Sequence, residues 1–199
     1  MQTITPKEVT KQVRHLAERA APGQVPKFVA NNPKPGALPN ECFGNVAAQV
    51  EKYGGERILG WTIWEWPNVL IEAEFHAIWK SPEGTLLDIT PKADGESEIL
   101  FVSDLTAIYD GNYIDNKRLA LRDDAVIVDF IRMSEELFRL TRIGKPGQAV
   151  YLDKSAIVPI AKRVEYLGAM LKVGARDHDP CFCNSGKKYK KCHALTLRH

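Results

Sequence analysis

The sequence predicts an α+β protein: a small antiparallel sheet with flanking helices, plus a C-terminal module built around cysteines. Three observations predict it. Between residues 58 and 90, aromatic and β-branched residues alternate and are broken by a Ser81-Pro82-Glu83-Gly84 turn. Amphipathic stretches preceded by helix-capping residues lie on both sides of that region. Three of the cysteines, Cys181, Cys183 and Cys192, crowd near the carboxyl end beside His193.

The elements follow in order. Thr5-Pro6-Lys7-Glu8 reads as a helix start, with Thr5 as N-cap, Pro6 as the first helical residue and Glu8 closing a capping box. Val9, Val13, Leu16 and Ala20 mark its apolar face. Residues 21–40 are rich in Pro, Gly and Asn and read as loop. A second helix runs from about Cys42 to Lys52 and stops at Gly54-Gly55. Strands follow over Ile58 to Trp66, Leu70 to Lys80 and Thr85 to Thr90, and residues 99–110 add a strand or a short helix. Asp123 to Arg142 carries Val126, Phe130, Leu137 and Leu140 near one helical face. Pro159 to Val173 forms another helix, entered through Asp153 or Ser155, and Gly174-Ala175-Arg176 is the expected hinge. The domains are then 1–174, with a core at about 38–110 and a helical part at about 113–174, and a module at 175–199.

A chain of 199 residues, 44% hydrophobic, suits one core and an appendage. No apolar run approaches the ~20 residues of a membrane span. Lys7, Glu8, Lys11, Arg14 and Glu18 interrupt the N-terminal stretch, which argues against a secretory signal. A cytoplasmic location is therefore expected. There is no internal repeat or low-complexity tract.

The C-terminal spacing is C-x-C-x8-C-H: Cys181, Cys183, Cys192, His193. Three thiolates and an imidazole are what a closed tetrahedral zinc site needs, and a segment too short for its own core would take its folding energy from the metal. The intervening Asn184-Ser185-Gly186 is a turn cluster, with Gly186 free to take positive φ. Phe182 and Tyr189 are the large side chains within the segment able to cover the ion, and Lys187, Lys188, Lys190 and Lys191 offset its negative ligand set. A disulfide pair plus a spare thiol is the alternative, and a reducing compartment disfavours it.

This stretch resembles the SEC-C motif, the zinc module at the C-terminus of the SecA translocase and of many unrelated bacterial proteins. Phe182 stands where that motif commonly has proline and Asn184 where it has glycine; neither is a ligand. The resemblance implies structural zinc and an interaction role, since protein groups fill all four ligand positions. It also implies a partner such as SecB or the ribosome. Arg176, Lys187, Lys188, Lys190, Lys191 and Arg198 against Asp177 and Asp179 suit an acidic partner, or simply solvate the module.

A second constellation lies upstream. Cys42 falls at the start of the second helix, where unpaired N–H groups and the dipole favour a thiolate. In the strand Ile71 to Trp79 the odd positions are uniformly apolar, so His76 belongs to the opposite face with Glu72 and Glu74. A three-residue hairpin loop, Pro82-Glu83-Gly84, pairs Ser81 with Thr85, Ile78 with Asp88 and His76 with Thr90. Asp88 then sits diagonally from His76 on the same face. Nucleophile, base and orienter are the roles such a set can take. Asn40 and Asn45 are side-chain candidates for an oxyanion donor beside the Cys42 N–H.

The Cys…His…Asp order resembles the papain-like and transglutaminase-like thiol enzymes. The run His76-Ala77-Ile78-Trp79…Gly84…Asp88-Ile89-Thr90-Pro91 is similar to a His-Ala-Trp…Gly…Asp-Pro-Thr stretch common in the latter, over residues 38–91. The resemblance implies attack by Cys42 on an amide or ester carbonyl, proton transfer through His76 and tautomer control by Asp88. Peptide or protein substrates would suit it. Read one by one, these residues are also ordinary: a buried cysteine, an ion-paired histidine, a turn aspartate. The competing function is a non-catalytic adaptor, and a third is RNA binding by the basic tail alone. Trp61, Trp64, Trp66 and Trp79 read as core packing, or as an apolar groove beside Cys42.

Overall fold

The computed structural model describes residues 3–92, 95–145, 147–183 and 185–196; Asn184 and Arg198 lie outside the described residues. The α+β class holds, with helices against an antiparallel sheet. In chain order the elements are α1 (Lys11–Ala20), β1 (Lys27–Ala30), α2 (Cys42–Tyr53), β2 (Glu56–Trp66), β3 (Leu70–Lys80), β4 (Leu86–Leu87), β5 (Glu98–Ser103), β6 (Lys117–Ala120), α3 (Ala125–Thr141), α4 (Lys154–Lys172) and α5 (His193–Thr196), with a 3-10 turn at Tyr189–Lys191.

Several boundaries differ from the sequence reading, each for a physical reason. The first helix starts at Lys11, because Thr10 caps it by accepting from the Val13 N–H at 3.2 Å. Ile4 instead bonds the β2 backbone at Glu65, which draws Thr5 toward Glu96 and away from the helix. The stretch read as loop at 21–40 contains β1, which pairs with β5 despite its Pro- and Gly-rich flanks. Of residues 85–90 only Leu86 and Leu87 enter the ladder. Residues 99–110 resolve into a strand at their start, β5, followed by loop. Asp153 caps α4 at the Ser155 N–H, so Pro159, expected at the helix start, falls inside the helix. Its ring deprives the helix of one backbone hydrogen bond.

The sheet runs β1-β5-β2-β3-β4, all antiparallel, with β6 on the β3 edge. Its two ends meet: the Asp88 N–H donates to Ala30 O, and the Asn32 N–H donates to Asp88 O at 2.7 Å. The sheet therefore curls into a partial barrel. Its outward face carries the odd residues of β3. Val13, Leu16 and Ala17 of α1 cover Ile71, Ala73 and Phe75, and Cys42 and Val46 of α2 cover Ala77 and Trp79. The inward face holds Val29, Ile78, Ile99 and Phe101. Gly60, paired with His76, is needed there: a Cβ would stand 2.2 Å from Val102 O.

α3 and α4 form a hairpin whose base packs on Trp66, Val69 and Leu70 at the β2–β3 turn. The C-terminal module joins this same cluster through Cys181, Tyr189 and Ala194. Among the described residues no helix is long and apolar enough to cross a membrane.

Candidate functional site

Two groupings of chemistry-bearing side chains emerge. The first is the carboxyl-terminal cluster. A short bridge between Pro180 and Lys188 brings Cys181 and Cys183 back toward Cys192 and His193, with the Cys181 N–H bonded to Lys187 O at 2.8 Å. Gly186 takes φ +72, the conformation the turn requires. Cys181 Sγ lies 3.2 Å from His193 Nδ1, Cys192 Sγ 3.5 Å from the same atom, and Cys183 Sγ 3.5 Å from Cys192 Sγ. All four ligand atoms fall within 4.8 Å of one another. A tetrahedron with Zn–S bonds of about 2.3 Å has edges of about 3.8 Å, so the set encloses one ion of that size. The Ser185 hydroxyl, then its N–H, hold the Cys183 thiol down to about 7, toward the form that binds metal. Three thiolates and an imidazole leave no protein-free position, which is the signature of a structural zinc site.

The cover over this centre extends beyond the two aromatics expected from the sequence. Phe182 packs at a tilt against Tyr166 of α4 (centroids 3.8 Å) and lies 4.5 Å from the His193 ring. Tyr189 is fully buried, and its hydroxyl donates to Asp129 Oδ2 of α3 at 2.7 Å. Burial, followed by the Asp129 carboxylate, pushes the Tyr189 phenol well above its usual range. The module is thus keyed into the helical hairpin, which no local sequence pattern signals.

The second grouping lines a cavity of about 830 Å³. β3 is bordered by β6 at residues 70–73 and by β4 at 79–80, which leaves the intervening edge clear of both strands. The cavity lies along that stretch. Cys42, Phe43 and Asn40 from the start of α2, Glu74 and His76 from β3, and Tyr109 from the loop after β5 are among its walls. Asn40 takes φ +62, a left-handed turn that asparagine tolerates, and leads into α2. The N-cap, Glu41, makes no side-chain cap bond, so no side chain of its own competes for the N–H groups at this helix start.

The β3–β4 hairpin has the loop expected for it. The Ser81 N–H donates to Thr85 O, and Trp79 and Lys80 pair with Leu87 and Leu86. This register brings Asp88 Oδ1 to 3.1 Å from His76 Nε2, with both residues buried. Oδ1 also accepts from the Thr90 N–H at 3.0 Å. The Asn31 amide donates to Thr90 O at 2.9 Å, so the end of β1 straps this turn in place. Burial alone would lower the His76 imidazole. The hydrogen bond to Asp88, then the neighbouring Cys42 thiol, outweigh it and raise the group to about 9. For Asp88 burial acts upward, but His76 and then Lys92 hold it down at about 2. Cys42 and His76 thus meet although their elements present opposite faces of β3, because both reach the same open edge.

The two asparagines separate. Asn40 lines the cavity. Asn45 does not offer a free donor: its Nδ2 donates to Leu38 O (2.8 Å) and the Thr90 hydroxyl (3.2 Å), and its Oδ1 accepts from the Leu38 N–H. Its place one turn along α2 aims it at the preceding loop, which corrects its expected oxyanion role. Of the tryptophans, only Trp64 lines this cavity; Trp61 and Trp66 are core.

A family model described as the SEC-C motif matches residues 179–195, the segment that holds all four cluster ligands. No curated protein and no solved structure matches the chain. The C-terminal segment is therefore similar to SEC-C zinc-binding motifs, whereas the comparisons lend no support to the transglutaminase-like resemblance of residues 38–91.

Proposed function

We propose that the main domain is a cysteine-dependent amide hydrolase or acyl transferase, with Cys42 as nucleophile, His76 as acid–base and Asp88 as orienter. The observation that carries this reading is the buried His76–Asp88 pair at 3.1 Å, with His76 and Cys42 on the wall of one cavity. Asp88 occupies Nε2, so Nδ1 is the nitrogen left to exchange a proton with the thiol. Sγ attacks the substrate carbonyl carbon, and the developing oxyanion meets the Cys42 N–H and the Asn40 side chain. The bond to the leaving amine or alcohol breaks as His76 returns the proton. Water, or an amine acceptor, then opens the thioester. The aromatic wall of Phe43 and Tyr109, stacked at 3.7 Å, suits an extended peptide or acyl chain.

An activated ester such as p-nitrophenyl acetate tests it. One equivalent of nitrophenolate should appear in a burst, with an acetyl mass added at Cys42. Cys42→Ala should abolish the burst while leaving the circular dichroism spectrum intact, and His76→Ala should slow it by about 10²–10⁴-fold. Iodoacetamide alkylation of Cys42 at neutral pH no faster than that of a free thiol would end this reading.

For the zinc module we propose a docking role toward an acidic, ribosome- or secretion-related partner. Lys187, Lys188, Lys190 and Lys191 are all exposed around the cluster, while the cluster itself is coordinatively closed. Co-sedimentation with ribosomes that survives in the full chain and is lost on replacing these lysines by glutamine supports it. Sedimentation unchanged by that replacement refutes it.

A further inference from the structure

Asp88 has a second oxygen, and its surroundings are unusual. Lys92 Nζ lies 2.9 Å from Oδ2, with the Lys92 side chain 11% exposed and the Asp88 side chain 0%. The contact is an ion pair between the ammonium and that oxygen. Residues 88–92 are not helical, and the i,i+4 closeness is made by local pinning. The Thr90 N–H bonds back to Asp88, Asn31 holds the Thr90 carbonyl, and Asn45 holds its hydroxyl. The Lys92 ammonium also lies 5.3 Å from the Trp64 ring centroid, over its face.

Resting on the thiol reading above, we propose that Lys92 is a positioning residue: the fourth member of a buried chain Cys42–His76–Asp88–Lys92, which holds Asp88 as the anion and balances its charge. The physical need is plain. A thiolate, an imidazolium and a carboxylate together carry one net negative charge, and burying net charge is costly. A cation on the far carboxylate oxygen makes the sum zero while leaving Oδ1 to His76. Lys92 stands on the wall of the same cavity, and its link to the chain runs through Asp88 Oδ2. Among the described residues, the other titratable groups on the cavity wall are Glu41 at the α2 start, Glu72 and Glu74 on β3, and the neutral phenols Tyr109 and Tyr113. Arg118 already pairs with Glu72 at 3.3 Å, and the Trp64 indole N–H donates to Glu74 at 2.7 Å, so neither carboxylate is tied to Lys92.

The test compares Lys92→Met with Lys92→Arg, read by NMR titration of His76 and by the pH profile of Cys42 alkylation with iodoacetamide. Removing the cation makes both neighbours harder to deprotonate. In Lys92→Met the His76 titration should move upward by about one unit, and the acid limb of alkylation should move the same way. Lys92→Arg should restore most of both. A role in packing alone would lower the melting temperature and leave the titration in place, which overturns the proposal. The unsubstituted protein gives a check that needs no variant: Lys92 should be acetylated by acetic anhydride far more slowly than exposed Lys11 and Lys162, and equal rates overturn it. Because the His76 titration and Lys92 acetylation do not require a nucleophilic Cys42, slow alkylation of Cys42 would reject the enzyme reading and leave the Lys92 result separately legible.

Discussion

At the scale of single residues, the His76–Asp88 pair links structure to pH. The imidazole is raised from 6.5 to about 9, so its stabilisation is fully present below about pH 6.5 and is lost as pH rises through about 9. Asp88 is depressed from 3.8 to about 2, so its share is present above about pH 4 and is lost as pH falls through about 2. Both shifts arise largely from one interaction and do not add. Its size is on the order of 3 kcal/mol, at 1.36 kcal/mol per pKa unit. Urea unfolding should therefore find Asp88→Asn less stable than the wild type near pH 6, with the gap closing above pH 9. A gap that is constant from pH 6 to pH 10 would show that charge plays no part in it. The Tyr189 hydroxyl makes a comparable residue-scale contribution. Tyr189→Phe leaves Asp129, 3% exposed, without that donor, and should cost about 1–3 kcal/mol in the same assay with the zinc content unchanged.

At the scale of elements, parity decides whether the cavity has chemistry. The Pro82-Glu83-Gly84 loop sets which face Asp88 takes, and Gly84 holds φ +89 with open space where a Cβ would go. Gly84→Ala thus tests backbone strain alone and should cost roughly 1 kcal/mol in thermal unfolding. Deleting Glu83 should shift the strand by one residue, turn Asp88 away and bring the His76 titration down from about 9, while the sheet still forms. This hairpin was legible in the sequence because turn chemistry and alternation are local. The extent of α2 was legible too, since its apolar spacing marks the helix and Gly54 ends it. β1 and β6 were not. Lys27–Ala30 is too short to show a period, and Lys117–Ala120 reads as polar, and each exists because a partner strand satisfies its backbone. Lys92 was hidden for a related reason: an i,i+4 pair is expected on helices, and here tertiary pinning by Asn31 and Asn45 makes it. Asn45 looked like a donor for the cavity because sequence places a residue on a helix without saying which loop crosses over it.

At the scale of the whole molecule, the zinc module is a structural member of the helical layer rather than a free tail. The residues of α4 that are buried are Leu167, Met170 and Leu171, and all three pack into the cluster that also contains Cys181, Tyr189 and Ala194. From Ser134 to Tyr166 no described residue is buried, so the outer part of the α3–α4 hairpin has little to hold it if its base opens. Structural zinc contributes on the order of 10 kcal/mol in comparable small motifs, about as much as a whole domain's net stability. Metal removal should therefore propagate through Tyr189 and Phe182 into α4. The β-sheet core, built on α1 and α2, shares none of those side chains and should stand. Hydrogen exchange followed by mass spectrometry, before and after treatment with a strong zinc chelator, distinguishes the two units. Amides of residues 154–172 should lose protection together with 179–194, β2 and β3 should keep theirs, and added zinc should restore the first set. Cys42 alkylation should be unchanged by the chelator, because its cavity lies on the sheet edge. If α4 stays protected while 179–194 opens, the module is an appendage after all, and the Tyr189–Asp129 bond is a contact without mechanical consequence.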